Sequence, residues 1–157
     1  CNDGPWFYQQ LELGYNYRIT DIQCALGCSQ MKKLDVFLRR RRELAHNYDE
    51  AFADCENLVC PYQLPEVESG WHLYIIQVTG KNRKDIFEYL RAKGIGVNVH
   101  YIPVYYHPYY REHGFADAKC PVAEELYEHI ISLPIFPSLT DDDQKYVIEQ
   151  VKNALSI

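Results

Sequence analysis

The chain has 157 residues, 47% of them hydrophobic and 24% charged, with a formal net charge of -6. This is the balance of a folded globular protein; it excludes global disorder, and no apolar run nears the roughly 20 residues that span a bilayer. The 22 acidic against 16 basic side chains oppose a general nucleic-acid binder, which carries the reverse excess. Fourteen tyrosines offer flat apolar faces with polar tips, which suit polar ligands and subunit contacts.

The chain opens Cys1-Asn2-Asp3-Gly4-Pro5-Trp6, with no initiator Met, basic leader or apolar signal core, so a fragment of a longer protein is expected. Residues 1–18 read as loop or extended chain, punctuated by Gly4-Pro5 and Gly14. Thr20-Asp21-Ile22-Gln23 has the spacing of a capping box, in which the Thr20 hydroxyl and the Gln23 side chain each take a free backbone N–H. Ile22, Leu26, Met31, Leu34, Leu38 and Ala45 then recur near helical spacing. With Gly27 as the internal breaker, one helix of about 30 residues is predicted from Asp21 to Ala53, long enough to bridge domains or lie along a subunit interface. Arg39, Arg40, Arg41 and Arg42 fall inside it. Four consecutive helical residues point in four directions, so these arginines are expected to be solvated or ion-paired rather than one basic patch.

Beyond Asp54 short elements alternate. Leu58-Val59-Cys60 is a short strand candidate, and His72 to Val78 a clearer one closed by Thr79-Gly80. Arg83 to Lys93 reads as a helix stopped by Gly94. Ile95, Val97 and Val99 alternate with Gly96, Asn98 and His100, the period-two pattern of a third strand. Pro121 to Ile131 reads as a helix with proline at its first position. Thr140 caps a last helix running to about Leu155, and Asp141, Asp142 and Asp143 favour its positive end. The predicted class is α+β (mixed α/β): a long helix, then a three-stranded mixed or antiparallel sheet with helices on one face.

The six cysteines are expected to be reduced and mostly buried thiols, which implies a cytoplasmic location. Cys24 and Cys28 share a helix face, but no second pair completes a zinc site, and no metal is assigned. There is no glycine-rich phosphate loop, no nucleophile elbow and no recognisable carboxylate pair. Two segments stand out. Leu13 to Arg18 brings amide and guanidinium donors to a helix start, where anions bind; alternatively Asn16 and Arg18 tie down the loop. His100 to Tyr110 packs five tyrosines and two histidines into eleven residues, as a wall for a polar ring-shaped ligand or as an aromatic subunit contact.

Leu13-Gly14-Tyr15-Asn16-Tyr17-Arg18-Ile19-Thr20-Asp21-Ile22-Gln23, followed by Ala25-Leu26-Gly27 and Gln30, resembles the signature of the DegT-type sugar-nucleotide aminotransferases. The likeness continues through Lys33-Leu34-Asp35, Arg40-Arg41-Arg42, His72-Leu73-Tyr74 and Lys93-Gly94-Ile95-Gly96-Val97. His100-Tyr101-Ile102-Pro103-Val104, Pro121-Val122-Ala123-Glu124 and Ser132 to Thr140 complete it, in order and over nearly the whole chain. The resemblance implies the C-terminal two-fifths or so of a pyridoxal-phosphate enzyme of fold type I. Residues 1–18 would then be the tail of the large cofactor domain, 19–53 the linking helix and 54–157 the small C-terminal domain. It implies that Asn16, with Arg18 beside it, reaches the cofactor phosphate and substrate of the other subunit of a homodimer. His100, Tyr101, Ile102, Pro103 and Val104 would line the nucleotide-sugar site. The implied reaction moves an amino group from an amino acid, glutamate being expected, to a UDP-4-keto-6-deoxy sugar. The His-Tyr-Ile-Pro-Val run is most similar to members acting on the pseudaminic acid pathway, with spore-coat and surface-polysaccharide members close competitors. The Schiff-base lysine lies upstream in such enzymes, so this chain alone is expected to be inert. A non-catalytic sugar-nucleotide-binding or interaction module, and the related sugar dehydratases, are the alternatives.

Overall fold

The computed structural model describes residue 15 and residues 17–156. The chain divides into two compact units, one running to Leu34 and one starting at Asp35.

In the first unit, α1 (Asp21–Met31) begins at the capping box anticipated from the sequence. The Thr20 amide donates to Gln23 Oε1 at 2.9 Å, and the Gln23 amide donates to Thr20 Oγ1 at 3.3 Å. No residue of α1 is buried. The predicted continuous helix is interrupted: Lys33 donates to Gln30 O at 2.9 Å, and α2 (Leu34–Phe52) starts after this turn. The packing stripe of α2 begins only at Leu44, whereas no residue of α1 is buried and its Gly27 weakens the ladder.

The second unit is built on α2. Leu44, Ala45, Tyr48 and Phe52 recur on one face and enter the main core. Tyr48 stacks on Phe52, tilts against Tyr74, and donates its hydroxyl to Pro134 O at 2.9 Å. The arginine run parts in separate directions. Arg40 pairs with Glu43 and Asp141, and Arg42 with Glu68, as expected of surface pairs. Arg41 instead donates from one nitrogen to three carbonyls, of Trp71 (2.8 Å), His72 (3.2 Å) and Ile135 (3.0 Å).

The sheet is antiparallel, in the order β1 (Leu58–Val59), β2 (Tyr74–Val78), β3 (Ile130–Leu133). In β2, Tyr74, Ile76 and Val78 are buried and alternate with partly exposed Ile75 and Gln77, the expected period of two. The third strand differs from the expectation. Ile95 and Val97 are buried as the alternation requires, but their segment makes a single bridge, Asn98 to Ser132. The strand that completes the sheet is Ile130–Leu133, whose first two residues the sequence pattern assigns to the end of the preceding helix. All four of its residues are buried, and pairing with β2 from Tyr74↔Leu133 to Gln77↔Ile130 outweighs helical continuation.

Helix α3 (Arg83–Ala92) ends in a Schellman motif: Gly94 at φ +80 donates to Arg91 O, and Ile95 donates to Leu90 O, both at 3.0 Å. Leu90 and Ile95 are both buried, so this stop also points the chain back into the core. A 3-10 turn (Val104–Tyr106), the one-turn α4 (Pro108–Tyr110) and a π-type turn (Arg111–Phe115) follow, then α5 (Pro121–His129) leading into β3. Helix α6 (Asp141–Ser156) starts at Thr140, whose hydroxyl accepts from the Asp143 amide at 3.1 Å. Its buried Gln144 is satisfied, donating to Leu44 O at 2.7 Å and accepting from Asn47 at 3.0 Å.

The cysteines depart from the expectation of burial. All those described are free thiols; Cys24, Cys28 and Cys120 are exposed, and Cys55 and Cys60 partly so. Cys24 and Cys28 sit on α1, none of whose residues is buried. Among the described residues no helix is long and apolar enough to cross a membrane.

Candidate functional site

The segment from His100 to Tyr110 forms an aromatic wall on the second unit, suspended between two fixed elements. Its first anchor is β3. Asn98 and Ser132 exchange backbone hydrogen bonds at 3.3 and 2.7 Å, and the buried Ser132 hydroxyl meets His100 Nδ1 at 2.8 Å. Asn98 Nδ2 lies 3.2 Å from His100 Nε2, so both ring nitrogens are engaged. His100 also packs edge-on against Tyr101, with ring centroids 4.6 Å apart.

The second anchor is α5. Tyr105 donates its hydroxyl to Glu124 Oε1 at 2.8 Å, and the Cys120 amide donates to the same oxygen at 3.0 Å. The Cys120 amide first and the Tyr105 hydroxyl second hold the Glu124 carboxyl below its usual range. Desolvation first, then the hydrogen bond to Glu124, pushes the Tyr105 phenol up. The Tyr106 phenol is also raised, by desolvation first and then by the Glu124 charge.

Between these anchors the predicted wall residues face outward. Tyr101 is 71% exposed and Val104 57%, while Ile102 and Pro103 are half-buried. Pro103 O accepts from the Tyr106 amide at 2.9 Å, and Val104 O from the His107 amide at 3.1 Å, which closes the 3-10 turn. Tyr109 stacks on His113 with centroids 4.1 Å apart, and Tyr110 meets Phe115 edge-on. Arg18 is exposed in the first unit, and Asn16 lies outside the described residues. The sequence reading singled out the segment 100–110 but not the residues that anchor it, Asn98, Ser132 and Glu124. The available signals were Asn98 on the polar face of the alternating segment and a glutamate in the first turn after Pro121.

Two clefts of the second unit lie apart from this wall in their lining. One of about 270 Å³ is bounded by Arg42, His46, Asp49, Glu68 and Trp71; another of about 370 Å³ by Gly94, Phe136, Leu139 and Tyr146.

The profile of the DegT/DnrJ/EryC1/StrS aminotransferase family matches residues 2–152. The chain belongs to this family. Among its relatives, the spore coat polysaccharide biosynthesis protein SpsC of Bacillus subtilis is 38% identical over 97% of this chain and 41% of its own length. The UDP-4-amino-4,6-dideoxy-N-acetyl-beta-L-altrosamine transaminase of Campylobacter jejuni is 35% identical over 90% of this chain and 38% of its own. The structure of Helicobacter pylori PseC, an aminotransferase involved in pseudoaminic acid biosynthesis, superimposes with a TM-score of 0.86 at 31% identity, covering 99% of this chain and 43% of that one. The chain thus spans about two fifths of the length of the family members it matches. The α+β fold with its three-stranded antiparallel sheet is the one these aminotransferases share.

Proposed function

We propose that this chain is the C-terminal part of a pyridoxal-phosphate-dependent aminotransferase that moves an amino group from an amino acid, glutamate foremost, to a UDP-linked keto sugar for surface polysaccharide or glycan biosynthesis. The observation that carries this reading is the unbroken family match from residue 2 to residue 152, which includes the aromatic wall. The names of SpsC and the Campylobacter transaminase support a sugar-nucleotide substrate in a polysaccharide or amino-sugar pathway.

In this reading His100, Tyr101, Ile102, Pro103 and Val104 bind the nucleotide sugar. The aromatic faces of Tyr101 and its neighbours receive a ring, and the anchored imidazole of His100 fixes its orientation. Asn16 and Arg18 reach the cofactor phosphate of the opposite protomer, and residues 54–157 act as the small domain behind a linking segment. At the start of α1 the capping box already occupies the Thr20 and Gln23 amides. When bound, the cofactor would supply an electron sink for amino transfer, and the family resemblance implies that its covalent lysine and most of its cradle lie outside the residues of this chain. A homodimer fits the exposure of Ile22 (83%), Leu26 (62%) and Met31 (65%) on α1. The enzyme works in the cytoplasm, where its free thiols stay reduced.

The test uses the full-length protein that carries this chain, supplied with pyridoxal phosphate, glutamate and a UDP-4-keto-6-deoxy-N-acetyl sugar. Formation of the amino sugar with stoichiometric 2-oxoglutarate is expected. A deoxygenated sugar product instead would assign the chain to the dehydratase alternative. Binding without turnover would assign it to a non-catalytic module.

A further inference from the structure

We propose that Glu124 is a positioning residue for substrate: from the first turn of α5 it holds Tyr105, and through Tyr105 it sets the shape of the wall that faces the nucleotide sugar. This inference rests on the reading of the His100–Val104 segment as the sugar-nucleotide wall.

Four observations carry it. First, the Glu124 carboxylate is fixed to the scaffold by accepting the amide of Cys120, the residue that precedes α5, at 3.0 Å. Its negative charge also suits the positive end of α5. Second, the same oxygen takes the Tyr105 hydroxyl at 2.8 Å, so the loop is tied to an atom that is already placed. Third, Tyr105 lies in the 3-10 turn whose closure runs through Pro103 O and Val104 O. Fixing Tyr105 therefore fixes two of the wall residues. With His100 held by Ser132, the stretch 101–104 hangs between supports on α5 and β3, which are consecutive in the chain and belong to the same compact unit. Fourth, neither Glu124 nor Tyr105 belongs to the buried core, so their link orders the loop rather than the fold.

A loop ordered in advance loses less conformational freedom when ligand binds, so the link should appear in affinity rather than in the chemical step. Tyr105→Phe removes one hydroxyl and leaves the helix cap intact. Glu124→Ala removes both acceptor functions, whereas Glu124→Gln keeps an oxygen for both donors. In the full-length protein, Tyr105→Phe and Glu124→Ala are expected to raise KM for the keto sugar nucleotide about tenfold, the equivalent of about one hydrogen bond, with a smaller change in kcat. Glu124→Gln is expected to recover most of that loss. Hydrogen exchange in the same protein should quicken at the Tyr106 and His107 amides in Tyr105→Phe. An unchanged KM in Tyr105→Phe overturns the proposal, whether or not exchange quickens. So does a Glu124→Gln variant as impaired as Glu124→Ala. If the wild-type protein performs no amino transfer, the functional reading fails separately. The positioning role then stands or falls on whether Tyr105→Phe weakens binding of UDP-N-acetylglucosamine in a titration.

Discussion

Arg41 offers the sharpest test of how this unit is held together. It projects from α2 and donates to the carbonyls of Trp71 and His72, at the entry to β2, and of Ile135, just beyond β3. One guanidinium thus ties the helix to both main strands of the sheet. All three contacts come from Nη1, which carries two hydrogens, so two full bonds is the fair count at any moment. Bonds from a charged donor contribute about 1.5–3 kcal/mol each, roughly 3–6 kcal/mol in total. Arg41 is only half-buried, so water can reach some of the released carbonyls, and the net cost of Arg41→Ala falls to about 2–3 kcal/mol. Lysine keeps the charge but lacks the planar fork, and Arg41→Lys should lose about half as much. The neighbouring Arg39 is exposed, and Arg39→Ala should stay within about 0.5 kcal/mol. Urea denaturation followed by circular dichroism reads all three variants as midpoint shifts. A loss below about 0.5 kcal/mol in Arg41→Ala, or one matching Arg39→Ala, would refute the clamp.

Two further outcomes follow from the core and its caps. Gly94 sits at φ +80 with nothing within 4 Å of an added Cβ, so Gly94→Ala should cost about 1–2 kcal/mol from backbone strain alone; a neutral result in the same urea assay would contradict the Schellman geometry. Burial pushes the phenols of Tyr48 and Tyr74 above the ordinary tyrosine value of 10.0, with the Asp49 hydrogen bond adding to the second. The native state therefore holds these protons more tightly than the unfolded chain. Stability should be level with respect to these groups below pH 10 and fall as pH rises beyond it. Tyr48→Phe should flatten that alkaline fall, and an identical slope in stability against pH would count against the assignment.

The features legible in the sequence are those closed by nearby atoms. Thr20 and Gln23, Thr140 and Asp143, and Gly94 after α3 each satisfy backbone groups within three or four residues, so residue type and spacing sufficed to place them. The alternation of β2 was equally visible because one face of it is buried. The family likeness was readable for a related reason: its motifs are short runs, such as His100 to Val104, that keep their order along the chain.

What needed the tertiary structure is whatever depends on a distant partner. Ile130 and Ile131 continue a helical pattern locally, but Ile130 to Leu133 is a strand because Tyr74 to Gln77 lies beside it and all four residues are buried. Ile95 to Val99 has the better local strand pattern and makes only one bridge. The helix predicted through Lys32 and Lys33 breaks between a half with no buried residue and a half packed on the core, and the acceptors of Arg41 and Arg42 come from remote segments that the local pattern does not reveal. The supports of the aromatic wall are of this kind too, since Ser132 and Glu124 reach it only once α5 and β3 are placed. Sequence by itself determined the caps, the class of fold and the family, because short-range hydrogen bonds and periodic burial leave local marks. Strand identity, helix continuity and the shape of the wall were decided by packing, because long-range pairing overrides propensities worth only tenths of a kcal/mol to about 1 kcal/mol per residue.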